Sequence, residues 1–128
     1  MSQQLKLSTP TPTDADLHDL IIDSIQDVKG KGIVKLDLRN LEDAPTDYFI
    51  ICEGDSSTQI KAIADRVQAR LKQEAGILPN HLEGARSSSW ILVDYFTTVL
   101  HVFHREKRDF YELEDLWSDA KFTEYETL

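Results

Sequence analysis

Apolar and polar positions alternate with two distinct periods along this chain, and the period changes mark its elements. After a polar, proline-punctuated stretch ending Ser8-Thr9-Pro10-Thr11-Pro12, Leu17, Leu20, Ile21, Ile25 and Val28 recur at helical spacing. Thr13 is placed to cap that helix, with Asp14 and Asp16 in its first turn. The glycines of Lys29-Gly30-Lys31-Gly32 stop it, glycine being able to take the left-handed cap. Ile33 to Leu38 alternates in period two and reads as a half-buried strand. A loop holding Pro45 follows, and then Tyr48 to Cys52, a continuous β-branched and aromatic run that reads as a central strand. Ser56-Ser57-Thr58-Gln59 matches a capping box, with Gln59 reaching back. Ile60, Ile63, Ala64, Val67 and Leu71 then form the buried stripe of a second helix that Gly76 ends.

The remaining third predicts a short strand around His81-Leu82-Glu83 and two longer ones, Trp90–Tyr95 and Val99–Phe103. The short Phe96-Thr97-Thr98 separation predicts an antiparallel hairpin, without the Gly or Asn that tight turns prefer. Strands 48–52, 90–95 and 99–103 are apolar on both faces and are expected at the centre of one sheet. Phe110, Leu113, Leu116 and Trp117 predict a helix over Glu106–Ala120. The expected organisation is a flexible tail over 1–12, one domain over 13–120 and an acidic tail over 121–128. The fold class is α/β, helices flanking a mixed β-sheet.

Charge narrows the function classes. Against 14 Lys+Arg stand 23 Asp+Glu, a net charge of −9, which phosphate backbones repel and a basic protein attracts. No direct sequence-specific nucleic-acid binding is therefore expected. No apolar run approaches the roughly 20 residues that span a bilayer, and the N-terminus lacks a secretory apolar segment, so the expected location is cytoplasmic. The single cysteine, Cys52, lies in an apolar run and reads as a small core residue.

The most suggestive local chemistry is the Gly54–Gln59 turn, a strand-to-helix junction able to hold an anion at a helix N-terminus. It resembles the Gly-Ser turn of nucleotidyltransferases, making a nucleotide-binding or nucleotidyl-transferring enzyme the alternative reading. That chemistry needs converging carboxylates to hold its metals. No Asp-x-Asp or Asp-x-Glu pair follows on a strand, and Asp94 stands alone among apolar neighbours. His101 and His104, three apart on a strand, point to opposite faces, which argues against a metal pair. No catalytic, cofactor-binding or metal-ligating residue is expected.

Linked motifs carry a resemblance covering residues 14 to 120. Asp47-Tyr48-Phe49-Ile50-Ile51-Cys52, the Ser56–Ala64 helix start, Glu83-Gly84, Trp90-Ile91-Leu92-Val93-Asp94-Tyr95, His101-Val102-Phe103 and the Arg108–Trp117 segment resemble the ribosomal silencing factor S, or Iojap-like, family. The chain departs from the family's usual glycine-acidic turn, reading Phe96-Thr97 there. The resemblance implies a nucleotidyltransferase-like fold without the catalytic carboxylates and a non-enzymatic role. It implies binding to the large ribosomal subunit through the basic ribosomal protein L-fourteen, which blocks joining of the small subunit under nutrient limitation. Organelle relatives are associated with large-subunit assembly. A contact face for a basic partner should combine aromatic anchors with carboxylates. Within the matched motifs those are Trp90, Asp94, His101, Arg108 and Tyr111, with Lys61 as an outer candidate, and a homodimer is expected.

Overall fold

The computed structural model describes residues 13–86, 89–108 and 113–128. Helix α1 (Asp14–Asp27) opens as expected on Thr13. The Thr13 hydroxyl accepts from the Asp16 amide and the Asp16 carboxylate accepts from the Thr13 amide, both at 3.1 Å, closing a reciprocal box. At the other end the expectation is shifted by one residue. Lys29 takes the left-handed conformation (φ 63°), although it is not a glycine. Gly30 is required for packing instead: a Cβ there would lie 2.3 Å from Ile25 Cγ2. The glycine thus lets the chain cross close over α1.

Strands β1 (Lys31–Asp37) and β2 (Tyr48–Gly54) pair antiparallel, and helix α2 (Ser57–Arg70) follows. Ser56 caps α2 through its hydroxyl, which accepts from the Gln59 amide at 3.1 Å. Gln59 does reach back, but its Oε1 accepts from Asp55 N at 2.6 Å rather than from the cap residue. The helix continues as a π-helical turn, Leu71–Ala75, and ends on left-handed Gly76 (φ 68°). Strands β3 (His81–Glu83), β4 (Trp90–Asp94) and β5 (Thr98–His104) form an antiparallel meander.

The six strands form one mixed sheet in the order β3-β4-β5-β2-β1-β6, with only β2 and β5 parallel. Helices α1 and α2 cover one face, burying Ile21, Ile25, Ile60, Ile63 and Val67 against Ile50, Cys52, Val93, Leu100 and Val102. The other face carries Val34, Leu36, Phe49, Ile51, Val99 and Phe103. Among the described residues, Leu41 and Ala44 of the β1–β2 loop and Leu113, Trp117 and Ala120 of the C-terminal segment pack against it.

Three expectations are corrected. Of the helix expected over Glu106–Ala120, residues 109–112 lie outside the described residues; the rest is helical at Arg108 and over the single turn α3 (Leu113–Leu116), with turns at 105–107 and 117–119. Leu113, Trp117 and Ala120 pack, partly buried, against the second sheet face, whereas Leu116 is exposed. The expected acidic tail contains strand β6 (Lys121–Tyr125), paired antiparallel to β1 from Ile33↔Tyr125 to Asp37↔Lys121. Phe122, Thr123 and Tyr125 are good strand formers, and β1 offers an unpaired edge that outweighs the acidic flanks. Finally, β2 and β5 are central but β4 is next to the edge: Ile91 and Val93 are buried, whereas Trp90, Leu92 and Asp94 are half-buried. The segment expected as the tail over 1–12 lies outside the described residues.

Candidate functional site

Where β4 runs along the short edge strand β3, the second sheet face is half-buried on β4 and exposed on β3. Side chains alternate across a strand, so Trp90, Leu92 and Asp94 share this face and Tyr95 turns to the helix side, where it is buried. Register extends the surface across both neighbours. Leu92 stands opposite His101 and Trp90 opposite Phe103 on β5, while Glu83 faces Leu92 and His81 faces Asp94 on β3. His81 Nε2 and a Glu83 carboxylate oxygen lie 3.5 Å apart, both side chains largely exposed. The result is an apolar strip, Trp90 and Leu92, bordered by the carboxylates of Asp94 and Glu83.

Three of the residues singled out from sequence meet here. The Trp90 indole N–H donates to His101 Nδ1 at 3.1 Å. The Trp90 ring stacks on Phe103 with centroids 5.3 Å apart, and Phe49 meets His101 edge-on at 4.5 Å. Asp94 Oδ1 accepts from the Phe96 amide at 2.8 Å, bracing a hairpin turn in which Phe96 has a φ of 70°. This strained position is where the sequence lacks the expected glycine. His101 is buried, 3% exposed, and burial pushes its pKa down to about 3. It lines the floor of the face and offers a docked partner no direct contact.

The other three are placed differently. The Arg108 guanidinium is engaged internally, donating to Gly32 O at 2.6 Å, to Glu53 at 3.0 Å, and to both carboxylate oxygens of Glu114 at 3.0 and 2.9 Å. It fastens the C-terminal segment to the ends of β1 and β2. Lys61 lies exposed on α2, in the layer on the opposite side of the sheet. Tyr111 lies outside the described residues. Sequence reasoning missed Leu92, His81 and Glu83. The period-two alternation from Trp90 signals Leu92, but the β3 pair needs the strand register.

The Gly54–Gln59 turn is closed on itself. Asp55 N and Gln59 N are satisfied by Gln59 Oε1 and Ser56 Oγ, and Lys31 Nζ sits 2.8 Å from the Asp55 carboxylate. The lysine holds Asp55 below the usual carboxylate range, keeping an anion where a phosphate would have to enter. Among the described residues no three His, Cys, Asp or Glu side chains converge to hold a metal ion. Burial pushes the Cys52 thiol up to about 12, the behaviour of an inert core residue. No helix among the described residues is long and apolar enough to cross a membrane.

Residues 11–128 match the family described as ribosomal silencing factor during starvation, RsfS, a span that includes β6. A ribosomal silencing factor of Halalkalibacterium halodurans is 36% identical over 114 residues, covering 89% of this chain and 96% of the relative. A crystal structure of a protein from Chromobacterium violaceum superposes with a TM-score of 0.76 at 38% identity, covering 81% of this chain and 85% of that one. Another, from Bacillus halodurans, gives a TM-score of 0.73 at 34% identity, covering 87% and 99%.

Proposed function

This chain belongs to the ribosomal silencing factor family, and from that premise we propose that it docks on the large ribosomal subunit and blocks joining of the small one. The family role is regulatory, not enzymatic. In the proposed action the partner is the basic ribosomal protein L-fourteen, and the protein represses translation in the cytoplasm when nutrients are limiting. The observation that carries this reading is the half-covered strip of Trp90, Leu92 and Asp94. An apolar anchor bordered by carboxylates suits a surface rich in Lys and Arg, whose stems pack on the ring while their charges pair at the rim. Steric occlusion suffices for the effect, which is why no converging set of reactive groups is needed.

The net charge of −9 favours approach to such a partner through long-range attraction. The working form in this reading is a homodimer, and light scattering at micromolar concentration tests that separately. Sucrose-gradient sedimentation with purified subunits tests the main claim. The protein should travel with the large subunit and reduce the fraction of joined ribosomes when the small subunit is added. Sedimentation with the small subunit alone, or undiminished joining at saturating protein, refutes it.

A further inference from the structure

Strand β5 contains one residue that packing does not explain. His101 is surrounded in sequence by Val99, Leu100, Val102 and Phe103, every one of them buried. Its Nδ1 accepts the Trp90 indole proton, so the neutral ring carries its own hydrogen on Nε2. Nε2 is buried and has no hydrogen-bond partner among the described residues. A buried donor without an acceptor costs stability, and an apolar side chain in the same volume would avoid that cost. A polar ring placed in the core at such a cost points to a role beyond packing.

The role is visible in what the ring touches. His101 holds Trp90 at its N–H, while Phe103 holds the same indole by stacking at 5.3 Å with an interplanar angle of 23°. Phe49 meets the imidazole edge-on at an interplanar angle of 82°, fixing the ring that fixes the indole. With its polar atom turned onto the sheet, the indole stands beside Leu92 as an apolar, electron-rich surface. Such a ring takes the aliphatic stem and the charge of a Lys or Arg side chain. We propose that His101 is a positioning residue: by accepting the Trp90 N–H it fixes the indole as a preorganised anchor for a cationic side chain of the docked protein. The inference rests on the docking reading above and identifies the side-chain chemistry the anchor receives.

The test compares three substitutions at 101 in the full chain, each also made with Trp117→Phe so that Trp90 alone reports fluorescence. His101→Phe keeps an aromatic ring in the stack but removes the acceptor, and His101→Asn keeps an acceptor near the Nδ1 position. His101→Phe should melt no lower than the parent, while Trp90 becomes more accessible to acrylamide and large-subunit affinity falls about ten-fold, the scale of one lost anchor interaction. His101→Asn should recover affinity to within about two-fold, although it packs less well. His101→Leu serves as a second acceptor-free variant and should behave as His101→Phe does. Stability and binding then move apart, which a packing role does not produce. Parental affinity and quenching in both acceptor-free variants overturns the inference, as does His101→Asn binding no better than they do. Trp90→Ala and Asp94→Asn separate the two readings. If these weaken binding while His101→Phe does not, the docking face stands and the positioning role falls; if neither weakens it, the docking face falls and takes the inference with it.

Discussion

Asp94 is the sharpest single probe of the proposed docking face, because its carboxylate stands in two settings that different substitutions separate. One oxygen braces the β4–β5 turn at Phe96 N, and the charge borders the Trp90–Leu92 strip. Asp94→Asn keeps an oxygen acceptor for the turn and deletes the charge. Asp94→Lys deletes the acceptor and reverses the charge. The structural cost of losing the turn bond is about 1 kcal/mol, because the exposed Phe96 amide is then free to bond water. Asp94→Asn should therefore unfold close to the parent in urea, and Asp94→Lys somewhat earlier. Binding should follow charge. A rim carboxylate facing a basic surface is worth roughly 0.5–1.4 kcal/mol, so Asp94→Asn should weaken large-subunit binding about two- to ten-fold near 0.1 M salt. Asp94→Lys should weaken it further through repulsion. The gap between parent and Asp94→Asn should close toward 1 M salt, as the screening length shrinks from about 10 Å to about 3 Å. Co-sedimentation across a salt series reads this directly. If Asp94→Asn binds as the parent does at every salt concentration while Asp94→Lys binds weakly, turn geometry and not charge was responsible, and the electrostatic part of the reasoning is wrong.

The α1 terminus predicts that Gly30→Ala destabilises by about 1–3 kcal/mol through its clash with buried Ile25, measured by urea unfolding. Gly76→Ala, with nothing within 4 Å but a φ of 68°, should cost only the backbone strain of about 1 kcal/mol. Lys29→Gly at the neighbouring left-handed position should stabilise by about 0.5 kcal/mol, and a loss there would refute the assignment of strain. Arg108→Lys cannot serve Gly32, Glu53 and Glu114 together, so it should lower stability by about 1–3 kcal/mol and expose Trp117, seen as a red shift in its emission. His18 and His101 have folded-state pKa values lowered to about 4 and about 3, mainly by burial, against 6.5 when unfolded. Below about 6.5 the unfolded chain binds more protons, so stability is fully present above that pH and is lost as pH falls toward 4 and then 3, by up to about 1.4 kcal/mol per unit for each histidine. Melting temperatures from pH 7 to pH 5 check the sign, and His101→Phe should flatten the slope.

Elements whose signal is local were legible in the sequence. The α1 cap on Thr13, the α2 cap on Ser56 and the stripe from Ile60 to Leu71 each follow from residues within one or two turns, and all lie where expected. The strand runs at Tyr48 and Trp90 were legible for the same reason. What could not be read depended on partners distant in sequence. β6 exists because β1 offers an edge to Lys121–Tyr125, some ninety residues later. The shift of the left-handed turn to Lys29 is a local exception: Gly30 is held against Ile25, only five residues earlier, where a Cβ would clash, so the left-handed position falls on Lys29. The docking strip was half legible: Trp90 and Asp94 share a face by counting in twos, but the burial of His101 and the addition of His81 and Glu83 are matters of register.

The same distinction changes what the charge count means. A net charge of −9 invites the reading that every acidic residue helps to attract a basic partner. Many of these carboxylates are already paired with cations of the same chain. Glu53 and Glu114 hold Arg108, Asp23 and Asp27 hold Arg70, Asp37 holds Arg39, and Asp55 holds Lys31. At a docking distance of a few ångströms such pairs act as dipoles whose fields largely cancel, while the surplus charge still acts over the screening length. Rate and placement therefore separate. The surplus governs how fast the two proteins meet and makes that rate salt-dependent, whereas where they stay is decided by the few carboxylates that border an apolar anchor. On the proposed docking face those are Asp94, two positions beyond Leu92 along β4, and Glu83, directly across from Leu92 on β3. Neutralising an internally paired acid such as Asp37 should accordingly leave the bound position intact, and neutralising Asp94 should not.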